Sequence, residues 1–189
     1  MVSADGHGVV SHAGVGLLRE MAEYTGLVEG VTDALIGTCK GVPTHAPGRV
    51  FTDLAVAVAD GADAISGIGV LTDREELFGP VASMPTTWRV LDRVGPEQLP
   101  TVRAAWAKAR AAAWAAGAGP DLGEELRLDF DATITIAHSE KQNAAATWKK
   151  KTVGLFHPLL CFLDRPDVAC GEALAGLLQP GNARPFQTG

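Results

Sequence analysis

The sequence predicts an α+β protein, all-helical from the N-terminus to about Pro120 and built of strands after it. Three observations predict this. Apolar residues recur at helical spacing between Gly and Pro breaks up to Ala116, and Gly117-Ala-Gly-Pro120 is then the clearest boundary in the chain. Beyond it, Leu126, Leu128, Phe130, Ala132, Ile134 and Ile136 alternate with Arg127, Asp129, Asp131, Thr133 and Thr135. A period of two over that length means a β-strand with one apolar face.

Residues 1–12 show no periodicity and read as a frayed terminus. Val15, Leu17, Leu18, Met21 and Ala22 predict a helix from Gly14 to about Thr25, stopped by Thr25-Gly26. A second helix follows from Leu27 to Ile36, then a loop from Gly41 to Gly48 carrying Pro43 and Pro47. Arg49 to Ala59 reads as a buried helix ended by Gly61. After a short segment with Ile65, Ile68 and Leu71, the acids of Asp73-Arg-Glu-Glu-Leu-Phe78 suit a helix N-terminus. Past Gly79-Pro80, Ser83 and Thr86 offer caps for a helix through Trp88, Val90, Leu91 and Val94. Residues 97–116 form an Ala-rich helix. In the second part, Val153 to Leu163 is apolar at both parities, as a central strand covered on both faces would be. Ala173 to Leu178 is a third, short strand, and three strands without a crossover helix predict an antiparallel meander.

At 189 residues, with 47% hydrophobic and 20% charged residues, the chain reads as globular, in one ordinary domain or two small ones. It has no apolar run of about eighteen residues to span a membrane and no basic-then-apolar leader. Cys39, Cys161 and Cys170 are odd in number and widely spaced, the pattern of reduced thiols in a cytoplasmic protein. The net charge of −6 argues mildly against a nucleic-acid partner, but its distribution argues less. Residues 85–110 hold Arg89, Arg93, Arg103, Lys108 and Arg110 against Asp92 and Glu97, and residues 138–152 hold Lys141, Lys149, Lys150 and Lys151 against Glu140.

Asp129 and Asp131 are the best candidates for chemistry. They share one face of the first strand, with Cα atoms roughly 7 Å apart. Such a pair can hold a divalent cation, and in two-metal sites the ions sit roughly 3.5–4 Å apart. Two solvated residues on an open sheet face would give the same pattern. Leu-Asp-Phe-Asp-Ala-Thr-Ile resembles the first motif of haloacid-dehalogenase-type phosphatases, which would make Asp129 a nucleophile and Asp131 a general acid. Placement counts against it. That motif opens its domain, and a doubly wound sheet needs more chain than follows Thr133.

A second resemblance covers nearly the whole chain. Asp129-Phe-Asp-Ala-Thr133, Ala137-His-Ser-Glu-Lys141, Phe156-His-Pro-Leu-Leu160 and Gly171-Glu-Ala-Leu-Ala-Gly-Leu-Leu-Gln-Pro-Gly-Asn182 resemble, in this order, DDE transposases of bacterial insertion sequences. Their group is described as transposase DDE domain group 1. Gly48-Arg-Val-Phe-Thr-Asp-Leu-Ala55, Ala59-Asp-Gly61, Leu77-Phe-Gly-Pro-Val-Ala-Ser83 and Pro85-Thr-Thr-Trp-Arg-Val-Leu-Asp92 agree in the first half. The resemblance implies a helical DNA-binding region over residues 1–120 and an RNase H-like catalytic core over 121–189. In that core Asp131 would be the first of three acids holding Mg²⁺ or Mn²⁺, with Asp129 beside it. Metal would activate water or a 3′-hydroxyl and stabilise charge on the attacked phosphate.

Here the chain departs from the family pattern. The segments that would supply the second Asp and the Glu are missing after Ala183, and Asp164, Asp167 and Glu172 do not stand at the matching places. The expectation is therefore a truncated core of three strands, inactive alone. Its partners would be DNA, a second copy of the chain or the full-length transposase. A chain that only binds DNA, or the full-length enzyme, and so inhibits transposition is the competing reading.

Among basic residues, Lys149, Lys150 and Lys151 beside Trp148 suit phosphate contact, or a solvated loop. Arg89 and Arg93, one turn apart, suit a helix placed in a major groove, or an ordinary amphipathic helix. His157 reads as a hydrogen-bonded core or strand-end residue, His138 as a turn residue, and Trp88, Trp106 and Trp114 as core.

Overall fold

The computed structural model describes residues 13–123, 125–133, 135–136, 155–166, 168–180 and 182. The chain is of mixed α+β class and divides into two compact units, residues 1–119 and 120–189.

The first unit holds seven α-helices among its described residues: α1 Ala13–Tyr24, α2 Leu27–Leu35, α3 Pro47–Ala59, α4 Gly69–Thr72, α5 Glu75–Phe78, α6 Met84–Asp92 and α7 Leu99–Ala113. Local chemistry sets most boundaries. Gly26 takes a left-handed φ of 76° between α1 and α2, which only glycine adopts cheaply. Pro47 opens α3, where its missing N–H costs nothing. Ser83 holds the extended N-cap position of α6, but its hydroxyl lies 3.2 Å from the Thr86 hydroxyl and caps no amide. The Ala-rich helix runs on past α7 as a π-turn over Trp114–Ala118, with Gly117 at φ 102°.

Helix α3 is the axis of this unit. Val50, toward its start, packs with Val31, Leu35, Ala82, Val90, Val102 and Ala105 from α2, α6, α7 and the segment before α6. Val56 and Ala57, toward its end, pack with Leu71 and Phe78. The close crossing of α2 and α3 needs Gly48. A Cβ there would lie 2.0 Å from the Val28 carbonyl oxygen and 2.5 Å from Thr32 Oγ1, and the Gly48 amide donates to that hydroxyl at 3.1 Å.

Two expectations are corrected here. In α1 the inward face is Val15, Arg19 and Ala22, while Leu17, Leu18 and Met21 are exposed. Trp88 and Trp106 are not core residues, being 53% and 43% exposed. Trp114 is half-buried, with the Arg110 guanidinium 5.9 Å from its ring centre.

The second unit is an antiparallel sheet of β1 Leu128–Ala132, β2 Thr135–Ile136, β3 Leu155–Arg165 and β4 Ala169–Pro180. Strands β1 and β2 lie along one edge of β3, opposite β4, so they form one interrupted strand. The interruption falls opposite Pro158, which has no N–H to give, and its carbonyl accepts from Thr133 N at 3.2 Å. β4 is twice as long as the expected Ala173–Leu178 strand, and its ladder on β3 shifts register between Cys161 and Phe162 and between Leu163 and Arg165. Those shifts are bulges, which let one strand carry extra residues. The described pairings are all antiparallel, so nothing in them supports the doubly wound sheet of a haloacid-dehalogenase-type phosphatase.

Candidate functional site

Residues opposite each other in an antiparallel pair share a face. Asp129 lies across from Phe162 and Asp131 across from Leu160, and Ala173 and Gly176 continue that face onto β4. Both aspartates are exposed, and neither carboxylate makes an ion pair or hydrogen bond with a described residue. Among the β3 residues on this face, Asp164 has the parity of Leu160 and Phe162 and lies across from Arg127, whose carbonyl accepts from its amide at 2.9 Å. It adds a carboxylate at the Asp129 end of the face, away from Asp131, and no group of three ligating side chains that could hold one ion occurs among the described residues. By themselves these described residues do not make a complete metal site.

Glu172 is engaged elsewhere: its Oε2 accepts from Arg165 Nη1 at 3.1 Å, and Arg165 is buried. Asp164 lines a cleft of 460 Å³ with Asp121, Glu125, Arg127 and Arg165, where charges of both signs offset each other. His157 sits on the face opposite the aspartates, across from Gln179. Its buried Nδ1 has no hydrogen-bond partner among the described residues, so the expected hydrogen bond is not made at that nitrogen. His138, Glu140, Lys141, Trp148, Lys149, Lys150, Lys151 and Asp167 lie outside the described residues.

In the helical unit, Arg89 and Arg93 stand one turn apart at the end of α6. The preceding helix, α5, is a single turn of four residues. The two arginines line a cleft of 380 Å³ with Cys39, Lys40, Gly41, Pro43, Thr44, His45, Pro47, Thr86 and Val90. No carboxylate lines it. Arg93 Nη1 donates to Cys39 Sγ at 3.6 Å, across 54 residues of sequence. Arg89 Nη1 reaches Thr86 Oγ1 at 3.5 Å. The contribution of Lys40 and His45 is invisible to sequence reading, because the contact joins a loop to a helix far along the chain. The only signal was a loop held between prolines.

A third constellation was missed altogether. Arg19 and Asp53 are 4% and 1% exposed, with Nε 3.0 Å from Oδ1 and Nη2 donating to Oδ2 at 3.4 Å. Nε and Oδ1 are close enough for an ion pair but poorly aligned, since both still lack a hydrogen-bond partner. Arg49 Nε lies 3.9 Å from Asp53 Oδ1, and Arg49 also contacts Glu23. The Arg19 guanidinium stands 5.7 Å from the Phe78 ring centre. Burial pushes the Asp53 carboxyl above its usual range, opposed by Arg19, Arg49 and His45. Burial also lowers the Arg19 guanidinium, with Asp53 opposing that shift and Arg49 adding to it. Desolvation therefore outweighs attraction on both sides of the pair. A signal existed in the sequence, since Arg19 and Asp53 each interrupt the apolar stripe of a helix.

Among the described residues no helix is long and apolar enough to cross a membrane. Comparison with known families finds that the model of transposase DDE domain group 1 matches residues 1–187. No curated protein and no solved structure matches the chain.

Proposed function

Since the chain belongs to the transposase DDE domain group 1 family, a family of nucleotidyl-transfer enzymes, we propose that it serves DNA transposition of a bacterial insertion sequence. On this reading the helical unit binds DNA, and the sheet unit is the opening part of an RNase H-like core. Asp131 is the first acid of a triad for Mg²⁺ or Mn²⁺, and Asp129 is its neighbour. Bound metal would activate the attacking hydroxyl and stabilise charge on the phosphate. The observation that carries the reading is that Asp131, in its Asp-Ala-Thr context, faces solvent with Asp129 on the same side of a strand. Clustered carboxylates open to solvent can receive a cation and a phosphate together; buried ones could not.

The absence of a three-ligand cluster among the described residues favours a second reading, in which this chain binds DNA or the full-length transposase without cutting and so restrains transposition. One experiment separates the two. The purified chain is mixed with duplexes carrying the element's termini, in Mg²⁺ and in Mn²⁺, and both retardation and strand nicking are scored. Retardation without nicking is expected of a chain that binds but lacks acids. Nicking lost in Asp131→Asn would instead mean that the chain assembles a full catalytic set. Nicking unchanged in Asp131→Asn would remove Asp131 from the triad, and absence of any retardation would defeat both readings.

A further inference from the structure

We propose that the cleft between the Cys39–Pro47 loop and α6 is a preformed phosphate seat, which grips one backbone phosphate of DNA and its adjoining sugar. The proposal rests on the reading that the helical unit binds DNA, and it names the residues and the chemical group involved.

Four basic side chains line the concavity from two directions. Lys40 and His45 come from the loop, and Arg89 and Arg93 come from α6. Three of them are fixed cations, and no acidic residue lines the same wall. In a chain of net charge −6, that is a local reversal of sign. The three fixed like charges, with no acid among the described lining residues, repel, and an anion turns that repulsion into attraction.

The neutral lining agrees. Thr44 and Thr86 add hydroxyls, which can donate to phosphate oxygens. The partners that now hold the arginines are weak ones. A thiol sulfur is a poor acceptor, so the 3.6 Å contact from Arg93 to Cys39 aims the guanidinium inward yet yields readily to an anionic oxygen. The Arg89 contact to Thr86 is long at 3.5 Å and exchangeable in the same way.

The walls are stiff. Thr38 Oγ1 donates to Leu35 O at 2.7 Å and Cys39 N to Ile36 O at 3.0 Å, tying the loop's start to α2. Pro43 and Pro47 restrict the rest, and Pro47 is buried as the first residue of α3. On the other side, Thr87 and Val90 are buried and fix α6 in the core. Size also fits. At 380 Å³ the cleft lies near the lower end of the roughly 300–1,000 Å³ range of ligand pockets, with room for a phosphate and its sugar.

The test pairs two measurements on the full chain, in wild type and in Lys40→Ala, Arg93→Ala and the control Arg103→Ala, each checked for native circular dichroism. One is fluorescence anisotropy of a labelled terminus duplex across a salt series. The other is the melting temperature with added inorganic phosphate, or with sulfate as a second anion of the same shape. The two cleft variants are expected to lose roughly fivefold to tenfold in DNA affinity, with a salt slope shallower by about one. Arg103→Ala should stay within about twofold, and phosphate should raise the melting temperature of wild type but not of Arg93→Ala. DNA binding that is equally strong in the cleft variants would overturn the seat while leaving DNA binding intact. A phosphate response confined to an intact cleft, without DNA binding, would keep the seat and remove the DNA. Equal losses in all three variants would reduce the effect to bulk charge and defeat the proposal.

Discussion

Asp53 in the helical unit is 1% exposed, whereas Phe130 in the middle of β1 is 59% exposed. The contrast extends to both units. All the described apolar side chains that are fully buried belong to the helical unit, except Leu163. In the sheet unit, Leu128, Phe130 and Leu177 share one face and stand about half open to solvent. The helices close on themselves so completely that even an ion pair is taken inside. The sheet satisfies its backbone through strand pairing but leaves an apolar surface of the kind that partners cover. Closure in the one unit and openness in the other separate what supports from what associates.

The largest effects should therefore come from the helical unit. Arg19→Met leaves the Asp53 carboxylate buried without its nearest cation, and should destabilise by about 3–5 kcal/mol in urea unfolding followed by circular dichroism. The double variant Arg19→Met/Asp53→Leu should recover most of that loss, because an apolar pair needs no solvation. If the double variant is as unstable as the single one, the pair contributes more than its charge balance. Gly48→Ala forces a methyl group against the Val28 carbonyl, and a loss of about 3 kcal/mol is expected by the same assay. A neutral result would mean that α2 and α3 move apart easily, and the unit is less tightly closed than its packing implies.

A pH series sharpens the point. Burial raises the Asp53 carboxyl in the folded state, so the fold binds this proton more tightly than the unfolded chain does. The stabilising contribution is full below the unfolded value of about 4 and is lost as pH rises through the raised folded value. The stability of wild type minus that of Asp53→Asn should thus grow as pH falls from neutral toward about 4. A difference that shrinks instead would show that Arg19 and Arg49 outweigh burial.

The smallest effect belongs to the sheet. Phe130→Ser on the open face should change stability by no more than about 0.5 kcal/mol. If copies of the chain meet through this apolar face, the same change should also weaken concentration-dependent self-association in sedimentation velocity. A large loss of stability would show that Phe130 is covered when the protein is in solution.

How much of this could be read from residues alone follows the same division. Helix ends were legible at Gly26, Gly61 and Gly79, which act locally through φ, whereas Pro47 read as part of the loop and is the first residue of α3. The alternation of β1 was legible for the same reason, and so was the shared face of Asp129 and Asp131. The break after Ala132 was not, because its cause is Pro158 on a neighbouring strand. The true length of β4 was hidden by Gly171 and Gly176 within it and by its two register shifts against β3. Partners distant in sequence, Arg19 with Asp53 and Lys40 with Arg93, exist only once the chain has folded.

Because both apolar clusters lean on α3, neither half of the helical unit can open while that helix stays in place. Its amides are expected to exchange with solvent deuterium last of all, through opening of the entire unit and not through fraying of its neighbours. Such a pillar makes the unit respond to strain as a single cooperative body, so whatever seats at its surface meets a platform that holds its shape.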